Sequence, residues 1–372
     1  MSNENDTTYM RRALRLAARG LGRTHPNPPV GAVLVRGGRV VGEGWHRRAG
    51  LPHAELVALT RAGRLARGAT LYVTLEPCAH EGRTPPCTRA IVAAGVRRCV
   101  VAVRDPHAIV DGRGLRELAR AGVDVEVGIE AAAARELMGG YWMRHAQDRP
   151  RVTWKVAATL DGKIADARGG SRWITGPSAR RAGHALRAAS QAIVIGAGTA
   201  RADDPRLTVR GVSADHAARA ALAPLRVVCD TQLRLPLTLE LFGPQLARGT
   251  VVACGRRASP ARERALGRRG VRVWRLPVTN GGVSPRALAR QLAREECHEV
   301  LLEGGAHLGA AWLRVGLVDR IALFTAPRVL GDGALSWCGD LGRPRLPRAP
   351  QGRIESLERV GDDALIVVRM ER

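Results

Sequence analysis

Apolar residues Met10, Ala13, Leu14, Ala17 and Leu21 recur at the spacing of one helical face, and Asp6 or Thr7 can cap the segment. The chain is therefore expected to open with an amphipathic helix. Two β-rich runs around Gly37-Gly38, within 30–44, read as a hairpin. The pattern then predicts a helix starting near His53, a strand over 70–75, a helix over 87–94, a strand over 99–103, a helix around 115–121 and a strand over 123–127. Strands that alternate with helices imply α/β layers. A second alternation begins after Asp148-Arg149-Pro150: strand 152–158, helix 178–189, strands 192–196, 226–229, 250–253 and 271–276, helix 285–294, strand 299–303 and helix 306–315. With a helix over 130–145 as the connection, the expected domains are 1–147 and 148–372.

A length of 372 residues suits two domains, each large enough for its own core. A hydrophobic content of 45% is that of a globular chain, and no stretch approaches the roughly 18 apolar residues of a membrane span. Charge complicates this picture. Lys and Arg number 59 against 34 Asp and Glu, and the net +25 ordinarily suggests nucleic acid. Only Lys155 and Lys163 are lysine, however, and the arginines are interleaved with acids, as in Arg262-Glu263-Arg264, with no compact tract. That is how a solvated surface reads. Aromatic residues, 3% of the chain, are too few for single-strand stacking platforms. The seven cysteines are odd in number and spread out, which is not a disulfide framework. The first twenty residues carry acids ahead of arginines and no continuous apolar core, so neither a signal nor a transit peptide is indicated and a reducing cytoplasm is expected.

The sharpest chemical signal is His53-Ala-Glu55, followed by Pro77-Cys78 and then Cys87, with eight residues between the cysteines. Imidazole and thiolate are zinc ligands, and a catalytic zinc takes three protein ligands and leaves its fourth position to water. His53, Cys78 and Cys87 make such a set. Zinc lowers the pKa of its water to ~7. A carboxylate two residues after the ligand histidine, beside the metal but not on it, shuttles the proton in zinc nucleobase deaminases; Glu55 is placed for that role. The other cysteines read as structural: Cys99, Cys229, Cys254 and Cys297 in or beside regular elements, and Cys338 in a loop.

These residues make the sequence resemble the bifunctional deaminase-reductase family of riboflavin biosynthesis, RibD, over nearly its whole length. In the first half the resemblance rests on Thr24-His-Pro-Asn-Pro-Pro-Val-Gly31, Gly42-Glu-Gly-Trp-His46, His53-Ala-Glu55 and Thr74-Leu-Glu-Pro-Cys-Ala-His-Glu-Gly-Arg-Thr-Pro-Pro-Cys87. It implies a cytidine-deaminase-like three-layer αβα domain with one zinc, which removes the C2 amine of a diaminopyrimidinone ribosylamine 5′-phosphate. It also implies that Asn27 orients the base, that Arg83 holds the substrate and that Asp105 lies in the pocket. Buried polar groups of this kind reject analogues that leave them unpaired. One departure is Asp105-Pro106-His107-Ala108, where the family continues Asp-Pro-Asn-Pro.

In the second half, Gly196-Ala-Gly198 has Arg201 where a third glycine would complete a dinucleotide fingerprint, so a Rossmann domain is not supported. A strand ending at Glu303 instead runs into Gly304-Gly305 and a helix, a turn able to bind pyrophosphate through free N–H groups. The family's reductase half carries Lys155-x-Ala157-x-x-Leu-Asp161-Gly162, Ser171-x-Trp173-Ile-Thr175, Leu186-Arg187, Gly198-Thr199, Ala202-Asp-Asp-Pro205, Leu207-Thr-Val-Arg210 and Glu303-Gly-Gly, all present in order. The resemblance implies a dihydrofolate-reductase-like α/β domain. It implies that NADPH contacts Ala157, Trp173, Thr199, Asp203, Thr231 and the run Gly305, Ala306, His307, Leu308, Gly309, Ala310 and Ala311. Substrate would contact Ser171, Arg187, Leu207, Arg210 and Glu303. Guanidinium binds phosphate bidentately, so Arg187 and Arg210 are read as a fork for the 5′-phosphate. An ammonium kept at Lys155 in an arginine-rich chain marks it, beside Asp161, as an orienting or proton-handling group while NADPH delivers hydride to C1′.

Two other readings stay open: a tRNA-type nucleic-acid deaminase with an accessory domain, and an enzyme active in only one half. Against the first stand His80, Gly82 and Thr84-Pro85-Pro86 within the long cysteine spacing, together with a full second domain. The expected partner is a small phosphorylated pyrimidine, with no nucleic acid and no membrane. The resemblance adds a homo-oligomer assembled through the reductase halves.

Overall fold

A computed structural model describes residues 2–81, 85–212, 223–342 and 345–371. The chain forms two compact units, Met1–Asp148 and Arg149–Arg372.

In the first unit, α1 (Ser2–Ala18) buries Met10, Ala13 and Ala17 completely, as their spacing requires. Its beginning differs from expectation. The helix starts at Ser2, so Asp6 is no cap; it sits buried inside the helix, accepting a hydrogen bond from Tyr72 Oη (2.5 Å) and pairing with Arg98 (2.8 Å). Strands β1 (Gly31–Arg36) and β2 (Arg39–Trp45) form the hairpin, and β3 (Thr70–Val73), β4 (Arg98–Val101) and β5 (Asp124–Val127) complete a sheet ordered β2-β1-β3-β4-β5. β1 is antiparallel to both neighbours, while β3, β4 and β5 run parallel. Side chains alternate across a strand. Ala32 and Leu34 therefore pack on one face with α2 (Ala54–Ala62), α3 (Cys87–Ala93) and α4 (Arg113–Arg120), and Val33 and Val35 on the other with α1 and α5 (Ala131–Gln147). The result is three αβα layers. A Cβ at Gly44 would lie 2.2 Å from the Ala54 carbonyl oxygen, so only glycine lets α2 seat its first turn on β2.

The second unit is built on nine strands. They are β6 (Arg151–Thr159), β8 (Ala192–Gly196), β9 (Leu225–Cys229), β10 (Thr250–Gly255), β11 (Arg272–Leu276), β14 (Glu299–Glu303), β15 (Arg320–Ala326), β17 (Gly352–Val360) and β18 (Asp363–Met370). Short strands β7 (Lys163–Ala165), β12 (Val278–Thr279), β13 (Gly282–Val283) and β16 (Leu335–Ser336) form two separate pairs. The sheet order is β11-β10-β9-β8-β14-β6-β15-β18-β17, parallel from β11 through β15 and antiparallel beyond. Helices α6 (Pro177–Ala188), α7 (Ala197–Asp203), α8 (Pro260–Arg268), α9 (Pro285–Arg294) and α10 (Ala306–Arg314) pack around it. The strand and helix expected at 299–303 and 285–294 appear with those bounds. The hydrophobic pattern had not announced β15, β17 or β18. β17 faces solvent along most of its length, with Ile354 and Leu357 each 66% exposed, so it lacks the buried alternation that marks a strand.

Candidate active sites

His53 is the N-cap of α2 and Cys87 opens α3, while Cys78 lies on the loop between β3 and α3. Two helix starts and one loop thus bring three donors together. His53 Nδ1 is 3.6 Å from Cys78 Sγ and 3.3 Å from Cys87 Sγ, and all three ligand atoms lie within 4.8 Å of one another. The Cys87 N–H donates to Cys78 Sγ (3.4 Å), and hydrogen bonding from Cys87, helped by His53, pulls the Cys78 thiol well below its ordinary pKa. An imidazole and two sulfurs, one already favoured as thiolate, fit zinc. Glu55 is 3% exposed, and its Oε2 has no hydrogen-bond partner. Leaving a buried oxygen unpaired is costly, so a polar group belongs there. Burial also pushes the Glu55 pKa up, as a group that must hold a proton requires.

Asn27 reaches this centre through His46: its Nδ2 lies 3.0 Å from His46 Nε2, His46 Nδ1 donates to the Pro52 carbonyl (3.2 Å), and the ring sits edge-on to His53. Asp105 is buried and accepts from Tyr141 Oη (3.0 Å) and the His107 N–H (2.8 Å); burial pushes its pKa up to about 6. His107, at the position of the family's asparagine, stacks on His145 at 4.2 Å. Arg83 lies outside the described residues. Sequence reasoning overlooked Glu76. It is buried and accepts four backbone N–H bonds, from Asp105, Gly112, Gly114 and Leu115, at 2.9–3.4 Å, fixing the loop that carries Asp105. Its only signal was its place two residues before Cys78.

In the second unit a cavity of about 830 Å³ opens where β6, β8 and β14 end. Lys155, Ala157, Ser171, Trp173, Arg187, Thr199, Asp203, Leu207, Arg210, Glu303, Gly305, Ala306 and His307 all line it. Lys155 on β6 is in register with Glu303 on β14, and Glu303 accepts two hydrogen bonds from Arg187, at 2.5 and 2.8 Å. Burial pushes the Lys155 pKa down, Arg187 adding to it against Glu303. Burial would raise Glu303, but Arg187 and then Lys155 outweigh it and hold its carboxyl below the usual range. Gly304 (φ +77°) and Gly305 (φ +52°) turn the chain into α10; a Cβ at Gly304 would sit 2.8 Å from Thr199, so the turn stays bare and offers a phosphate its backbone. This cradle fits NADPH.

Several of the expected site residues have surroundings that the sequence did not suggest. Asp161 does not join Lys155: it is exposed in the turn after β6, bonded to Thr159 Oγ1 (2.5 Å) and to the N–H groups of Leu330 and Gly331. Arg187 gives two of its donors to Glu303 and a third to the Thr208 carbonyl (3.0 Å), which leaves two of its five N–H groups for a ligand in the cavity. Leu308, Gly309, Ala310 and Ala311 do not line the cavity; they form the body of α10, where Gly309 packs against Trp154 and Ala310 is buried. Thr231, expected at the cofactor, lines a second cavity at the ends of β9, β10 and β11. His184, which sequence reasoning missed, lines the main cavity, and its Nδ1 accepts the Arg210 N–H (3.2 Å). The available signal was its position one turn before Arg187 on the same helix.

Residues 3–103 match the family model for the cytidine and deoxycytidylate deaminase zinc-binding region, and residues 150–366 that for the RibD C-terminal domain. Riboflavin biosynthesis protein RibD of Escherichia coli is 42% identical over 97% of this chain and 98% of its own length; that of Aquifex aeolicus is 40% identical over 98% and 99%. The chain belongs to the RibD family. Among solved structures, a RibD from Acinetobacter baumannii superposes with a TM-score of 0.88 at 36% identity, covering 99% of both chains. A diaminohydroxyphosphoribosylaminopyrimidine deaminase/5-amino-6-(5-phosphoribosylamino)uracil reductase from Thermotoga maritima superposes at 0.81, with 32% identity and both chains fully covered. As a RibD, the chain is a bifunctional riboflavin-biosynthesis enzyme acting on a small molecule, with a zinc-binding deaminase domain and an NADPH-using reductase domain of the expected folds. The nucleic-acid deaminase alternative is not favoured. No helix among the described residues is long and apolar enough to cross a membrane.

Proposed function

We propose that the first domain, 1–147, hydrolyses the C2 amine of 2,5-diamino-6-(5-phosphoribosylamino)pyrimidin-4(3H)-one, and that the second, 148–372, reduces the product to 5-amino-6-(5-phosphoribitylamino)uracil. The observation that carries this is Glu55, a buried carboxyl with an unpartnered oxygen beside three converging zinc donors. His53, Cys78 and Cys87 hold zinc, which when bound supplies a Lewis acid that makes water nucleophilic near neutral pH. Glu55 Oε2 takes a proton from the water adding to C2 and hands it to the amine, which leaves as ammonia. Its raised pKa keeps the proton on the carboxyl between the two transfers. Asn27, Arg83 and Asp105 bind the heterocycle and its ribosyl phosphate.

In the second domain NADPH supplies the hydride to C1′. Ala157, Trp173, Thr199, Asp203 and the turn from Gly305 to His307 hold the cofactor. Ser171, Leu207 and Arg210 hold the ribosyl phosphate, with the Arg210 guanidinium on the phosphate itself, and Arg187 keeps Glu303 ionised and oriented. Lys155 Nζ, desolvated and therefore a readier proton donor than an ordinary lysine, protonates the ring oxygen as the sugar opens. The enzyme works in the cytoplasm as a homo-oligomer without nucleic acid; light scattering and the salt slope of RNA binding test those points.

The decisive experiment incubates zinc-loaded protein with the pyrimidinone ribosylamine phosphate, with and without NADPH, and follows ammonia and NADPH. Ammonia without NADPH, then NADPH oxidation on its addition, is expected. A chelator abolishes the first and spares the second when the deaminated compound is supplied. No ammonia from a zinc-replete sample overturns the reading.

A further inference from the structure

A second cavity, of about 1270 Å³, opens on the same sheet edge where β9, β10 and β11 end. Arg234 lines it after β9, and Arg256 and Arg257 after β10; with Arg262 it has four arginines and no carboxylate in its wall. Other arginines of this unit are paired with acids, among them Arg187 with Glu303, Arg206 with Glu240 and Arg275 with Glu263. Arg262 is already committed, donating to the carbonyls of Leu233 (3.0 Å) and Leu235. Arg234, Arg256 and Arg257 have no ion pair among the described residues, so the cavity keeps three positive charges for a ligand. Its floor is set by the backbone. The Gly255 N–H donates to the Thr231 carbonyl (2.9 Å), and a Cβ at Gly255 would crowd Val278 at 2.9 Å.

Strand order places this cavity relative to the main one. Lys155 and Glu303 stand on β6 and β14, the Gly304-Gly305 turn follows β14, and β8, β9 and β10 come next, all parallel. At ~4.8 Å per strand, the end of β10 is about 14 Å from that of β14. A dinucleotide with its nicotinamide against Lys155 and its pyrophosphate over the glycine turn would lay its adenosine in the second cavity, outside the carboxyl ends of the strands, as ligands of open α/β sheets do.

We propose that Arg256 and Arg257, with Arg234 beside them, bind the 2′-phosphate of the cofactor and so select NADPH over NADH. The proposal rests on reading the second domain as an NADPH reductase. Guanidinium forks match a phosphate's oxygens bidentately, and such contacts from exposed side chains weaken with salt.

The test is calorimetric binding to the full chain, using adenosine 2′,5′-bisphosphate against ADP and NADPH against NADH. An Arg256→Ser/Arg257→Ser variant is expected to lose about 10- to 100-fold in affinity for the 2′-phosphorylated ligands while ADP and NADH change less than about threefold. Arg264→Ser, an exposed arginine of α8 outside the cavity, is expected to change neither. Equal losses for NADPH and NADH, or none, overturn the proposal and leave the reductase reading standing. A wild-type chain that binds neither NADPH nor the bisphosphate overturns both.

Discussion

Glu303→Gln keeps the shape of the side chain and removes the anion that two half-buried cations, Lys155 and Arg187, share. In the native site Glu303, 8% exposed, holds Arg187 at 2.5 and 2.8 Å and faces Lys155 on the next strand. Removing one partner of a buried pair costs about 3–5 kcal/mol, because the remaining charge stays desolvated. The amide keeps an acceptor for Arg187, which sets the expectation at the lower end, about 3 kcal/mol. For a unit of this size that is roughly 6–12 °C of melting temperature, at ~2–4 °C per kcal/mol. The pH dependence is a separate signature. Glu303 opposes the burial that depresses Lys155, so its loss pushes the lysine lower still. A depressed group binds more protons in the unfolded chain, so stability rises with pH between the folded and unfolded pKa values. The deficit of the variant therefore shrinks as pH is raised toward the ordinary lysine pKa of about 10 and Lys155 gives up its proton. It shrinks again in acid below about pH 4, where native Glu303 protonates through its lowered pKa and its own contribution disappears. Scanning calorimetry of both proteins without NADPH, across this pH range, measures the difference. A shift under about 2 °C near pH 7, or a deficit that grows with alkaline pH, refutes the reasoning.

Glu55→Gln is expected to lower ammonia release by about 10²–10⁴-fold with zinc content by mass spectrometry unchanged, since it removes proton transfer and not a ligand. Asp105→Asn tests the carboxyl that burial raises to about 6: a raised acid stabilises fully below its unfolded pKa and loses that contribution as pH rises through the folded one. Near pH 7.5 the variant's deaminase domain is therefore expected to gain up to about 3 kcal/mol over the wild type, with the gap closing below about pH 4, as read from thermal melts. Gly309→Ala puts a Cβ within 1.9 Å of the Trp154 ring, and chemical denaturation is expected to show a loss of about 1–3 kcal/mol from overpacking.

The sequence by itself determined the deaminase centre and most of the layer pattern. His53, Glu55, Cys78 and Cys87 were legible because their donors come from two helix starts and one loop, and the strand-loop-helix order that joins them shows in the local periodicity. Strand β14 and helix α9 were legible for the same reason, being buried on patterned faces. Only the tertiary structure decided the partners of the charged groups. Glu303 and Arg187 are 116 residues apart, and it is the folding of the sheet and its helices, not any spacing along the chain, that sets Arg187 on Glu303. Asp161 follows Lys155 by six positions, yet the turn after β6 carries it out to the Leu330–Gly331 backbone. The same holds for Glu76 and for the arginines around the second cavity. Local periodicity reports which face of an element is buried, whereas the pairing of charges depends on which distant elements the sheet makes neighbours.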